Sequence, residues 1–534
     1  MDEKMREELK WAYDFDPRDP KLGMGDWSCL SSKKINRRTM LRILAGTGML
    51  PFVAHLLGPL PAWAQPGKPG GELKAAWNVK QFDNLDPAFI NQVVQFQVAS
   101  NVLSGLTHIN RELIPKGDLA EGWDVSRDGK TWTFFLRKGV LFHNGDKFTA
   151  DDVIFTWKRS QVTGIQKAVI AEITDMKKVD DFTLQIILKV PKASFLVKTT
   201  ERSSGRALTV VNKRAIETLK EGHTLTPVGT GPFKVVEHRL GELLVLERFK
   251  DYFIEGQPLL DKITIFNVEE AEPLARALEV GAAGGGVDFV NVPPIPLIKR
   301  LEANPDLVID KVSGPGFQSI IMHNKKGAFT DQRVRLAVAK AIQRDELIEK
   351  ALFGNGIPAF GPVPPAQGLF FFDMSKLSPQ AFDPEGAKKL LAEAGFDGKT
   401  KVLKFSAMTT PIGRRAGEIH ADILKKNAGI EMELEVLPFP TLIARLTKEE
   451  YEAALVGSGG DFDPDDSIDD WFASGTVPGT TKSKFNTFGY SNPRLDELNE
   501  AQKAESNVQK RIEIVQAISK ILTKRGASSR SPGG

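Results

Sequence analysis

Segments with a strand pattern and segments with a helix pattern follow one another in mixed order along this chain of 534 residues. Residues 182–190 alternate apolar and polar side chains, as a strand with one buried face does. Apolar stripes at helical spacing occupy 334–342 and 512–522 instead, and we interpret both as core packing. Mixed order of the two element types predicts an α/β fold, and a chain this long exceeds one hydrophobic core. We therefore expect at least two α/β lobes.

Local signals place further elements. Thr149 with Asp152 three residues later approximates a capping box, and Asp383 and Asn492 each precede a proline in the way that helix caps do. We predict helices after all three caps. Concentrations of strand-forming residues predict four more strands, at 72–79, 131–137, 243–249 and 262–268.

The N-terminal region carries an export signal. Basic residues at 33–38 precede an apolar stretch at 43–60 and then Ala62-Trp63-Ala64, the small-x-small pattern that signal peptidase accepts. Residues 36–42 resemble the twin-arginine motif. We expect residues 1–64 to be a leader and signal peptide, with the folded protein starting near Gly71. An uncleaved membrane anchor is the alternative, which glycines and prolines within the apolar stretch disfavour.

Charge and cysteine content exclude several classes of protein. The formal charge is +3, with no concentration of basic residues of the kind that nucleic-acid binders show. Cys29, the single cysteine, lies in the leader. The exported chain is then expected to have no disulfide, no cysteine-ligated metal and no cysteine nucleophile.

Motifs for catalysis and metal binding are absent from the sequence. No histidines have zinc-helix spacing, and no Gly-x-Ser-x-Gly motif occurs. Six aspartates lie between 461 and 470, but Asp466 and Phe472 occupy the positions where an EF-hand needs Gly and Glu. Taken alone, the cluster is typical of a solvated acidic loop. A secreted hydrolase using carboxylates such as Asp461 and Asp463 stays open, since paired carboxylates support acid–base catalysis.

Eight blocks, in order, resemble the extracellular solute-binding proteins of family 5, which include the oligopeptide, dipeptide and nickel receptors of ABC importers. The most specific block contains Phe142-His143-Asn144-Gly145 and then Thr149-Ala150-Asp151-Asp152. The blocks are 85–88, 119–132, 136–153, 228–233, 277–289, 329–344, 383–395 and 488–493.

The resemblance implies a two-lobed periplasmic-binding-protein-like fold with a ligand cleft between the lobes. Residues 65–268 are then the first lobe with an inserted subdomain, and residues 269–534 are the second lobe. The family's C-terminal strands, which return to the first lobe, have no counterpart in the short polar segment 523–534. A truncated, nonfunctional relative is therefore one alternative.

The resemblance also implies ligand-binding residues. Asp461 resembles the aspartate that binds a peptide's amino group, while Asn91 and Gln92 lie where the first lobe lines the cleft. Arg414, or its neighbour Arg415, is the candidate for binding a carboxylate. Peptide receptors of the family often carry a tryptophan where this chain has Ser458, so a stacking wall is lost and a ligand other than a peptide stays open. The expected ligand is therefore a peptide or a similar small polar solute.

The expected function is capture of that solute outside the cytoplasmic membrane and delivery to an ABC permease. Relatives in the family also bind nickel complexes, oligosaccharides or opines. We expect a periplasmic monomer that has no catalytic activity, no cofactor, no metal and no nucleic-acid partner. The secreted hydrolase is the alternative from another class.

Overall fold

The computed structural model describes residues 68–90, 92–110, 114–164, 170–200, 208–375, 379–396, 403–458, 460, 462–475, 483, 485–505 and 507–524. The predicted leader and signal peptide lie outside the described residues. Strands run, in chain order, as β1 (Glu72–Trp77), β2 (Thr107–Ile109), β3 (Pro115–Gly117), β4 (Ala120–Val125), β5 (Thr131–Leu136), β6 (Ile173–Asp180), β7 (Thr183–Leu188), β8 (Phe233–Arg239), β9 (Leu243–Arg248), β10 (Lys262–Asn267), β11 (Phe289–Val290), β12 (Phe317–Met322), β13 (Leu403–Met408), β14 (Met432–Leu437) and β15 (Ala453–Ser458).

Helices lie between these strands and after them. They are α1 (Val93–Ala99), α2 (Ala150–Thr163), α3 (Phe195–Lys198), α4 (Lys213–Leu219), α5 (Ala271–Val280), α6 (Ile298–Glu302), α7 (Gln332–Ala341), α8 (Arg344–Leu352), α9 (Pro384–Glu393), α10 (Pro411–Ala428), α11 (Phe439–Thr447), α12 (Pro464–Phe472), α13 (Pro493–Ala504) and α14 (Val508–Lys524). All five predicted strands and all five predicted helices are confirmed, with ends shifted by a few residues.

The predicted helix caps are confirmed at the level of hydrogen bonds. Asp152 accepts from the Thr149 backbone N–H at 3.0 Å, as a capping box requires. The Asp383 and Asn492 side chains accept from the third residue beyond each, at 2.8 Å and 3.3 Å. These bonds satisfy N–H groups that a helix start leaves without a partner.

The first lobe is built on a five-stranded sheet in the order β11-β1-β10-β9-β8. Strand β1 pairs in parallel with β10 and β11, while β9 is antiparallel to its neighbours. Helix α5 buries Leu274 in a cluster with Ala76 and Val290. This sheet therefore extends past the predicted boundary at 268/269. As a division of the whole chain into lobes, that boundary stays a prediction.

An antiparallel sheet in the order β4-β5-β7-β6 lies between β1 and β8 along the chain, in the part of the first lobe where the inserted subdomain is predicted. The alternation at 182–190 has the predicted consequence: Leu184 and Ile186 are fully buried in the core beneath the sheet. Trp157 of α2 fills the same core and donates its indole N–H to the Leu208 carbonyl at 2.8 Å. Strands β2 and β3 form a separate hairpin.

The second lobe contains a four-stranded sheet in the order β12-β15-β13-β14. Strand β13 is parallel to both β14 and β15. The two predicted helical stripes lie in its cores, with Val334 and Val338 in one and Val515 and Ile518 in the other. Both stripes are therefore packing surfaces, as predicted.

Together these sheets form a two-lobed α/β protein in which the chain crosses from the first sheet to the second between Val290 and Phe317. Within the described residues, none of the helices combines the length and the apolarity needed to span a bilayer.

Candidate functional site

The polar residues of interest in the second lobe follow the carboxyl ends of two neighbouring parallel strands. Strand β13 leads into helix α10, which carries Arg414, and β15 leads into the segment that carries Asp461 and Asp463. Parallel strands end at one edge of their sheet, and in open α/β sheets ligands bind at that edge. The topology therefore brings the connections after β13 and β15 to one edge of the second lobe.

Arg414 and Arg415 differ in their surroundings. Arg415 donates Nε to the Lys350 carbonyl at 2.8 Å, and its guanidinium lies 4.5 Å from the centre of the Phe353 ring. Arg414 is exposed near the start of α10, whose Thr410 cap accepts from the Gly413 N–H at 3.1 Å. Because Arg415 is engaged within the lobe, Arg414 is the better placed of the two for a ligand.

Of the other predicted ligand-binding residues, the structure describes Gln92 alone. Asp461 and Asn91 lie outside the described residues. Gln92 is exposed at the N-cap of α1, and its backbone N–H donates to the Gln95 side chain at 3.2 Å. Its part in ligand binding stays a prediction.

The acidic segment is not uniformly solvated. Asp463 and Asp465 are only 4% and 1% exposed. Asp463 caps α12 by accepting from the Asp465 N–H at 2.9 Å, and Arg511 binds both of its oxygens at 2.7 Å and 2.5 Å. The solvated-loop prediction is therefore wrong for these two residues. Since Arg511 occupies the Asp463 carboxylate, that group is not available as the free base that the hydrolase alternative needs.

Asp465 accepts hydrogen bonds from a residue of the second lobe and from a residue that follows β7. Gln502 of α13 donates to its Oδ1 at 3.1 Å, and Ser194 of the inserted subdomain donates to its Oδ2 at 2.8 Å. The Lys192 ammonium lies 3.3 Å from the same Oδ2. Burial alone raises the pKa of Asp465, but the positive charges of Lys192, Lys198 and Lys503 outweigh it and hold that pKa below its usual range.

Lys192 shows the complementary effect. Burial disfavours its charged form, but Asp465 and Glu172 outweigh burial and raise the pKa of Lys192 above its usual value. The Glu172 carboxylate lies 2.8 Å from the ammonium. Both members of the Lys192–Asp465 pair are therefore charged at neutral pH.

The corresponding edge of the first lobe carries neutral amides. Trp77 ends β1, and its indole N–H donates to Gln97 Oε1 at 3.2 Å. Asn291, directly after β11, donates Nδ2 to the same oxygen at 2.6 Å. Phe289 lies beside them, its ring 5.9 Å from that of Trp77, and is 45% exposed. Sequence reasoning missed this group, because the parallel pairing of β1 with β11 that brings it together is a feature of the tertiary fold.

Aromatic residues also lie beside the carboxyl end of β15. Phe317 pairs in register with Ser458, and its ring centre lies 5.4 Å from that of Trp471. Trp471 in turn stacks on Phe485 at 5.5 Å with an interplanar angle of 20°. Ser458 supplies no aromatic ring itself, but three rings from elsewhere in the chain lie near its strand.

No cluster of three or more histidine, cysteine or carboxylate side chains with a metal-binding arrangement occurs among the residues that the structure describes.

Comparisons with known proteins agree with this architecture. The chain is 27% identical to the glutathione-binding protein of Pectobacterium atrosepticum, over 80% of this chain and 82% of that protein. It is also 27% identical to the periplasmic oligopeptide-binding protein of Escherichia coli, over 79% of each. A periplasmic binding protein of Helicobacter pylori in complex with the peptide STSA has the same fold, with a TM-score of 0.70, 24% identity and coverage of 86% of this chain and 92% of that one.

A family model also matches a large part of the chain. Residues 115–479, more than half of the chain, match the model described as bacterial extracellular solute-binding proteins, family 5 Middle. Together with the two α/β lobes, this match identifies the chain as a member of family 5 of the bacterial extracellular solute-binding proteins.

Proposed function

We propose that the chain captures a peptide or a similar small polar solute between its lobes and delivers it unchanged to the permease of an ABC importer. The observation that carries this proposal is the pair of carboxyl edges, one with neutral amides and one with charged groups. A peptide carries amide groups along its backbone and opposite charges at its ends, which suits both edges. The glutathione- and oligopeptide-binding relatives support the same ligand class.

Four residues have proposed roles in binding. Asp461 binds the ligand's amino group, a charge-assisted contact that is strong in a dry cleft. Arg414, in the helix that follows β13, binds a carboxylate of the ligand. Asn91 and Gln92 line the first-lobe side of the cleft.

The cellular setting is part of the proposal. Arg37 and Arg38 direct export through the twin-arginine route to the periplasm. There the protein acts as a monomer, without a cofactor and without catalytic activity, and its closed form is the one that the permease recognises. The ligand favours closure through contacts that it makes only in the closed form.

Thermal unfolding against di- and oligopeptides, oligosaccharides and nickel tests the ligand class. A ligand that binds the folded state raises the unfolding midpoint. We expect peptides to raise it, and N-acetylation of the same peptides to reduce the rise because the ammonium partner of Asp461 is lost.

Asp461→Asn should remove most of the difference between free and acetylated peptides. Asp306→Asn, a change at an exposed position of the chain, is the matched control and should keep that difference. A rise with oligosaccharides alone would overturn the peptide assignment, and an undiminished preference for the free amine in Asp461→Asn would overturn the role of Asp461.

A further inference from the structure

A short segment of the inserted subdomain contacts the second lobe at three points. The Lys192 ammonium lies 3.3 Å from Asp465 Oδ2, and the Ser194 hydroxyl donates to the same oxygen at 2.8 Å. Between them, the Ala193 N–H donates to the Lys503 carbonyl at 2.7 Å. Residues 192–194 follow β7 of the antiparallel sheet, whereas α12 and α13 follow β15 of the second-lobe sheet, so these bonds join separate parts of the fold.

Each side of this junction is held in place by contacts within its own part of the fold. Phe195, directly after Ser194, is 2% exposed and packs against Trp132 and Trp157, with ring centres 5.6 Å and 6.3 Å away. On the other side, Asp465 lies in the first turn of α12, where the helix dipole favours a carboxylate. The junction therefore joins two parts of the fold that are each held by their own contacts.

The junction is also connected to the segment that carries Asp461. Gln502 donates to Asp465 and accepts from Arg511 at 2.8 Å, and Arg511 binds Asp463. Asp463 follows Asp461 by two residues. One hydrogen-bonded network thus joins Asp463 and Asp465 at the start of α12, which follows the proposed amine-binding residue in the chain.

The burial of this ion pair depends on the two bodies lying together. The side chains of Lys192 and Asp465 are 7% and 2% exposed, although they come from opposite sides of the junction. Separation of the lobes would return both charges to water, whereas removal of Lys192 leaves Asp465 buried with one fewer of the positive charges that act on it. Such a loss weakens association strongly.

We propose that Lys192 and Ser194 form an inter-lobe latch with Asp465, which favours the closed arrangement and positions the Asp461 segment for the ligand. The expected effect on ligand affinity rests on the proposed function, whereas the latch itself does not. Lys192 and Ser194 are positioning residues.

A double-mutant cycle tests the latch, using the full chain with Lys192→Met, Asp465→Asn and the two combined. Affinity for a peptide that binds the unchanged protein is measured by calorimetry, and the radius of gyration without ligand by small-angle X-ray scattering. Lys178→Met is the control, because Lys178 pairs with Asp151 and Asp181 inside the subdomain at 2.6 Å and 2.7 Å.

Lys192→Met should weaken affinity about 30-fold and enlarge the ligand-free protein, as expected for a buried carboxylate that has lost one of its counter-charges. The double variant should recover part of this loss because it buries no carboxylate at position 465. Ser194→Ala keeps every charge and should weaken affinity about fivefold. Lys178→Met should change neither quantity.

Equal affinity and equal size for Lys192→Met and Lys178→Met would overturn the latch. So would a lowered unfolding midpoint in Lys192→Met with unchanged affinity and size, since the pair would then serve stability alone. If no peptide binds the unchanged protein, the proposed ligand class fails, and the scattering comparison still decides the latch.

Discussion

Asp463 and Asp465 lie two residues apart in one acidic segment, but they hold different parts of the molecule together. Asp463 is bound by Arg511 within the second lobe. Asp465 is bound across the lobes by Lys192 and Ser194. The comparison shows that one short run of like charges can stabilise a lobe through one carboxylate and join two lobes through the next. Breaking the first pair should cost folding stability, and breaking the second should cost closure.

The largest effect is expected from Arg511→Met. This change leaves Asp463 buried without its counter-ion and removes the bonds to Gln502. Loss of one partner from a buried pair costs about 3–5 kcal/mol of unfolding free energy, to be measured by urea denaturation. Arg494→Met removes an exposed partner of Glu497 instead and should cost less than about 1 kcal/mol. Similar losses in the two variants would contradict an internal structural role for Asp463.

Lys192→Met should lower the unfolding free energy by less than Arg511→Met does. In Lys192→Met the lobes can separate and return Asp465 to water, so the loss of unfolding free energy cannot exceed the free energy of opening. Asp463 lies within one lobe and stays buried when the lobes separate. Urea denaturation of both variants under the same conditions measures the difference. If Lys192→Met is the more destabilising of the two, the Asp465 junction belongs to the folded core, and the comparison fails.

The contact of His143 with the segment before β8 is neutral and should respond to pH. Burial lowers the pKa of His143 to about 4, although Nε2 lies 3.0 Å from the Gly231 carbonyl. The unfolded chain, with an ordinary pKa of 6.5, takes up this proton first as the pH falls. His143 therefore costs no stability above about pH 6.5, and stability is lost as the pH falls from there toward 4.

His143→Gln removes this titration and should give a shallower loss of stability over the same interval, measured by urea denaturation at several pH values. The Asp465 pair should not contribute there, because the pKa of Asp465 is held below its usual value of 3.8. An equally steep loss in His143→Gln would assign the pH dependence to other groups.

The smallest effect is expected from Asn492→Ala at the start of α13, the helix that carries Gln502. The Asn492 side chain accepts from the Leu495 N–H at 3.3 Å, and loss of a helix cap costs about 1 kcal/mol. The thermal midpoint should fall slightly while peptide affinity stays unchanged. A large loss of affinity would mean that the start of α13 contributes to closure, in contrast to a closure that depends on the contacts of Asp465 with Lys192 and Ser194.

Much of the fold was predictable because its signals are local. The alternation at 182–190 and the caps at Thr149, Asp383 and Asn492 determine elements within a few residues, and the structure has them where expected. The character of the acidic segment was not predictable in this way. Arg511, the counter-charge of Asp463, lies 48 residues from it along the chain. Ser194, which donates a hydrogen bond to Asp465, lies 271 residues from it. Composition alone therefore indicated a solvated loop where two of the carboxylates are buried.

The amide group of the first lobe had a weaker signal in the sequence. Trp77 and Asn291 are far apart along the chain and meet because β1 and β11 are parallel neighbours. Strand pairing of this kind depends on the tertiary fold, which periodicity does not specify. The roles of Asp461, Asn91, Gln92 and Arg414 stay predictions for the same reason, since they depend on how the two edges face a ligand.

The most direct test of the account is calorimetric titration of the full chain with a peptide, followed by mass spectrometry of the recovered peptide. A solute-binding protein that delivers its ligand unchanged should bind one peptide per chain and release it intact. Cleaved peptide would instead support a hydrolase, and the absence of binding by any peptide would contradict the proposed ligand class.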